Sequence, residues 1–147
     1  MAWPSQSTAT GLGSRMAHLI TFTTPRFDIS KEPPNPINPI AGHGLLTWLR
    51  EELLRAHYRV SEPDAEDWGW YIHVDGADAS YLVGASGAAD DPGAPVEWTI
   101  QVHRNRSMKD KVLGRNKLAV DDPLFAIIER TIRGESSIEQ VEVTRAV

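Results

Sequence analysis

The sequence predicts an α+β domain: a two-layer sandwich in which two helices cover one face of a mainly antiparallel sheet. Three observations carry this reading. Residues 96–103 alternate without a break, Val96, Trp98, Ile100 and Val102 against Glu97, Thr99, Gln101 and His103. That is the two-residue period of a strand with one buried and one wet face. Residues 43–57, and the stretch between Pro123 and Gly134, place apolar side chains every three or four positions instead, the period of an amphipathic helix. The remaining apolar segments are short and separated by turn residues, so the strands read as hairpin-linked.

Taken in order, residues 18–24 form a first strand, β-branched and aromatic, ended by Pro25. Ile20 and Phe22 are assigned to its buried face. Residues 31–39 hold four prolines, which fix φ and remove donors, so they are read as an extended surface crossing. A polyproline ligand is the sharper alternative for this tract. Residues 43–57 form the first helix, with Leu45, Leu49, Leu53 and Ala56 on one stripe, Leu46 widening it, and Trp48 off it. Residues 58–60 leave the helix as a short strand, and residues 62–67 form an acidic loop.

Strands follow at residues 68–74, 80–85 and 96–103. Trp68, Trp70, Ile72 and Val74 are expected on one face of the first, Tyr71 and His73 on the other. Residues 86–95 read as a mobile hairpin loop. Asp122 and Pro123 open the second helix as N-cap and first-turn residue. Leu124, Ile127, Ile128 and Thr131 are its expected inner face, with Phe125 and Ile132 at the margin. Gly134 stops it, and residues 138–144 close the chain as a strand carrying Val141 and Val143. The expected order is β-α-(β)-β-β-β-α-β.

A chain of 147 residues is most simply one domain, large enough to bury a core without disulfides or metal. Residues 1–15 are rich in Ser, Thr, Ala and Gly without a period. They are read as a disordered tail, a cloning remnant or a misassigned start, leaving residues 16–147 as the domain. A net charge of −5 disfavours bulk nucleic-acid binding. The absence of cysteine removes catalytic thiols and Cys-ligated zinc, and fits a cytoplasmic setting. No apolar run is long enough for a membrane span.

Catalytic motifs are missing. There is no Gly-x-Ser-x-Gly elbow, and Ser86-Gly87 falls in a predicted loop. Gly11-Leu12-Gly13 has no strand before it, so the phosphate-loop context fails. Of the five histidines, only His73 and His103 are expected on one wet face, and no helical His-x-x-x-His pair exists. Glu62, Asp64, Glu66 and Asp67 are near enough in sequence to raise one another's pKa, one route to a general acid. A solvated acidic turn is the simpler reading.

The densest charge feature is residues 104–117, where Arg104, Arg106, Lys109, Lys111, Arg115 and Lys117 oppose a single acid, Asp110. Phosphates or an acidic partner suit such a stretch. It has no interleaved aromatic, so base stacking has no platform there.

The segment Glu66-Asp67-Trp68-Gly69-Trp70, with Tyr81-Leu82-Val83-Gly84 and Asp121-Asp122-Pro123-Leu124 downstream, resembles small bacterial α+β proteins of unassigned function. The resemblance spans about residues 17–145 and implies no reaction, cofactor or site.

Together these features point to binding rather than catalysis. The expected role is a small interaction domain, of inhibitor or immunity type, that contacts another protein whose surface is acidic at the contact. The candidate contact residues are Arg104, Arg106, Lys109, Lys111, Tyr71, His73, Gln101, His103 and Trp48. No cofactor or metal is called for, and a homodimer is compatible. The alternatives are a small enzyme or ligand-binding domain with a pocket near His73, His103 and Glu66, and a nucleic-acid binder acting through residues 104–117.

Overall fold

A computed structural model describes residues 17–89 and 94–146; the expectations for residues 1–15 and for the middle of the 86–95 loop lie outside these. The chain forms an antiparallel seven-stranded sheet and two substantial helices, an α+β fold. The elements are β1 (Ala17–Thr23), α1 (His43–Arg55), β2 (Arg59–Val60), β3 (Asp64–Glu66), β4 (Gly69–Asp75), β5 (Ser80–Ala88), β6 (Glu97–Arg104), α2 (Met108–Leu113), α3 (Pro123–Gly134) and β7 (Glu139–Thr144). The strands lie in the order β2-β4-β5-β6-β1-β7, with β3 also pairing β4.

The alternation in β6 fixes the layers. Trp98, Ile100 and Val102 are fully buried, as are their cross-strand neighbours Phe22, Ile20 and Val83. Leu45, Leu46, Leu49 and Leu53 of α1 pack against this face. So do Leu124, Phe125, Ile128 and Ile132 of α3. Phe125 and Ile132 therefore belong to the centre of the α3 stripe, while Ile127 and Thr131 are only half-buried. The helix starts where expected, Asp122 accepting from the Phe125 N–H at 3.1 Å, but its buried stripe is rotated by about one residue. The other end of the core is closed by His18, which is buried. Its Nδ1 accepts from the Ala146 N–H at 2.8 Å and its Nε2 lies 2.6 Å from the Ala119 carbonyl, so the ring is the Nε2-protonated tautomer.

Four features depart from the expected pattern. α1 ends at Arg55, two residues early, because His57 adopts a left-handed φ of 72°. Part of the acidic loop is a strand: Asp64, Ala65 and Glu66 pair with Tyr71, Trp70 and Gly69. Residues 104–117 are not simply a loop, for α2 lies within them. It is started by a reciprocal Ser107–Asp110 capping box and ended by Gly114 in the left-handed region. Lastly, β5 runs on to Ala88 instead of stopping at residue 85.

The proline-rich crossing is structural glue as well as a surface strap. The Glu32 carboxylate accepts from the backbone N–H groups of Gly42, His43 and Gly44 at 3.0, 2.9 and 2.8 Å, capping α1. Asn35 donates to the Glu66 and Gly69 carbonyls and Asn38 to that of Asp67, clamping the β3–β4 turn.

Two stability outcomes follow from this packing. Trp98→Ala removes a fully buried ring set edge-on to Phe27 and closely overlaid on Gly87. The loss expected in denaturant titration is about 3–5 kcal/mol; a loss below about 1 kcal/mol is the signature of an exposed ring and would invert the sheet's faces. Gly69→Ala should also destabilise, by about 1–3 kcal/mol for backbone strain alone. Gly69 has φ 149°, and an added Cβ would lie 2.3 Å from the Ala85 carbonyl oxygen. A melting temperature equal to wild type would show that the turn relaxes.

Candidate functional site

The helices leave the second face of the sheet uncovered. Register places on it Tyr71 and His73 of β4, Leu82 and Gly84 of β5, Gln101 and His103 of β6, and Leu19 of β1. The expected polar set is thus brought onto one continuous surface. Trp68 joins it, contrary to its expected place in the core. The left-handed turn through Gly69 breaks the alternation between Trp68 and Trp70. Trp70 goes inward, its indole N–H donating to the Ile40 carbonyl at 3.0 Å, while Trp68 folds across Gly84. A Cβ on Gly84 would meet the Trp68 ring at 2.6 Å, so this close approach requires glycine.

Trp68, Tyr71 and His73 form a row of rings with centroids 6.4 and 5.4 Å apart. Burial raises the Tyr71 phenol above its ordinary value, and the Asp64 and Glu66 carboxylates beside it act the same way. Register puts Asp64 and Glu66 of β3 and Asp75 of β4 on this face beside the strand that carries the row, and Glu97 of β6 and Glu142 of β7 on the same face two and four strands from it. None of the five enters an ion pair among the described residues. Arg59, opposite Asp75, is the cation of this face among the described strand residues.

His73 and His103 do share the face, but both pair with Leu82 from opposite sides. Two strand spacings, about 9.6 Å, separate them. Among the described residues no group of three or more His, Asp or Glu side chains converges as a metal site would require. Clefts occur at the sheet's ends and along β7, and none of these has His73, His103 or Glu66 in its wall.

The remaining candidates lie elsewhere. Trp48 is half-buried instead of exposed: the Arg26 guanidinium lies 5.2 Å from its ring and Phe27 5.6 Å, because the chain after β1 folds over α1. Arg104 turns inward, with only 18% of its side chain exposed, toward the buried Asp122. Arg106 donates to the Arg115 and Asp110 carbonyls at 3.0 and 3.2 Å and so holds α2 in place. Lys109 and Lys111 remain exposed on α2, alongside Met108, Val112 and Leu113, which are exposed as well. No described helix is long and apolar enough to cross a membrane.

No protein-family model, curated protein or solved structure matches the chain.

Burial lowers the pKa of His103 below its ordinary 6.5. As pH falls through that ordinary value, the unfolded chain takes up a proton at this position before the folded one does. His103 therefore subtracts stability below the ordinary value, and adds no pH dependence above it. Unfolding titrations on either side of it, comparing wild type with His103→Gln, should show a shallower acid decline in the variant. Parallel declines would mean that His103 is solvated.

Proposed function

We propose that the domain binds another protein through the open sheet face, and that the partner's contact surface is rich in lysine and arginine. The carrying observation is the set of five carboxylates without ion pairs among the described residues on the face that holds the Trp68–Tyr71–His73 row. Carboxylates of one sign on a flat face steer a basic partner and repel nucleic acid. The half-buried rings supply what carboxylates cannot. An aromatic side chain gives large contact area at low entropic cost and accepts a cation on its face. An inhibitor-type protein that covers a basic surface of its target fits both features. The absence of catalytic sequence motifs supports binding over catalysis.

A second reading places the contact on α2, where Lys109 and Lys111 stand beside exposed Met108 and Val112. That surface suits an acidic partner with an apolar groove, the helix-in-groove mode.

Capture from native lysate with wild type, with Glu66→Lys/Glu97→Lys/Glu142→Lys and with Lys109→Glu/Lys111→Glu separates the two readings. The first predicts that the sheet-face variant loses a basic protein that wild type retains. It further predicts that association slows with salt, and that Tyr71→Ala weakens affinity by about tenfold or more, as a central aromatic does. Loss in the lysine variant alone would move the contact to α2.

A further inference from the structure

We infer that the cleft beside Arg104 is a binding site for a small phosphate monoester with a hydrophilic body. The cleft has a volume of about 530 Å³ and opens between residues 76–80, residues 104–107 and Asn116. That is within the span of small-ligand sites, about 300–1,000 Å³.

Its distinguishing group is Arg104. This guanidinium is four-fifths buried, yet its contacts among the described residues are long. Asp122 Oδ1 lies 3.8 Å away and already accepts the Tyr81 hydroxyl at 2.8 Å. Asn116 Oδ1 accepts at 3.4 Å. A charge-assisted arginine contact normally closes to about 2.7–2.9 Å. Most of the five N–H donors that an arginine carries thus have no short partner, in a side chain that forms the cleft wall. A mostly buried cation held loosely by one shared carboxylate has donor capacity for an incoming oxyanion. Arg106 adds a second positive charge to the same wall, and its Nε and one Nη are spent on backbone carbonyls. Asn105 and Ser80, tied by a backbone hydrogen bond of 2.8 Å, also line the cleft.

The wall also says what the rest of the ligand is. It contains no aromatic ring, so a nucleotide base has no stacking surface. Asp78 is the one acid in it, suited to accept from a ligand hydroxyl and unsuited to a second anionic group nearby. A phosphate head at Arg104 with a hydroxylated body toward the 76–80 turn satisfies both constraints.

Backbone amide NMR titration of the full chain tests this, with inorganic phosphate, glycerol phosphate, AMP and plain glycerol as probes. The amides of Ser80, Asn105 and Asn116 should shift with phosphate, and at lower concentration with glycerol phosphate, while glycerol alone leaves them in place. Arg104→Gln should weaken glycerol phosphate binding by about tenfold or more, the worth of a charged hydrogen bond. If that variant does not fold, Arg104→Lys carries the comparison, with a smaller loss because the fork is gone and the charge kept. Unmoved amides with both phosphates, or equal affinity in a folded Arg104 variant, would overturn the site. AMP binding more tightly than glycerol phosphate would overturn the assignment of a hydrophilic body.

Discussion

The Asp122 carboxylate is the interaction on which the arrangement depends most. It is buried, and it is a helix cap, a cross-layer tie and a charge partner at once. By accepting from the Phe125 N–H it starts α3; by accepting from the Tyr81 hydroxyl it pins that start to β5. Burial, and then this same bond, push the Tyr81 phenol far above its ordinary pKa, so it stays a donor at any physiological pH. An isolated buried carboxylate is costly. Three partners make this one tolerable, and the third, Arg104, is drawn out of the basic stretch to supply it. The position of α3, the burial of Arg104 and the shape of the cleft beside it are thus consequences of one side chain.

That chain of dependence explains why the basic stretch looks different in space than in sequence. Six cations in 14 residues read as one electropositive loop. Folding divides them by reach. Arg104 goes to Asp122, Arg106 to backbone carbonyls, and Arg115 to within 3.9 Å of Asp110. Lysines, without a planar fork to engage several acceptors, are left at the surface. The sheet face shows the reverse. Its carboxylates are scattered through the sequence as single wet positions on four different strands, and only the register gathers them.

The layers were legible because alternation and helical period are local signals. Trp98, Ile20, Phe22 and the leucines of α1 lie where their periodicity puts them. The failures share a cause as well. Trp68 is in phase with Trp70 along the chain, and only Gly69 at φ 149° breaks that phase. A glycine inside an apparent strand was the available signal, since such a residue marks a bulge or a close approach. In α2, Ser107 and Asp110 spell a capping box and Gly114 a C-cap, but the six residues between the caps are too few to show a helical period. Asn35, Asn38 and Glu32 could not be found this way, because their partners lie 10 or more residues away and are backbone atoms without identity.

The open face poses a thermodynamic question that its composition answers. A sheet face that leaves rings and Leu82 partly open to water invites pairing with any apolar surface. Five like-charged groups spread over the same face make that indiscriminate contact expensive, because each that is covered must be desolvated without a counter-charge. Only a surface that supplies cations opposite them recovers the cost. In the proposed complex the carboxylates would act as a filter and the rings as the source of affinity, a division of labour in which charge rejects wrong partners and buried aromatic area holds the right one. Trp68 sits where the two meet: its half-buried ring already lies against the bare backbone of Gly84, so a partner covering it would have less side-chain freedom to remove than with a fully exposed ring.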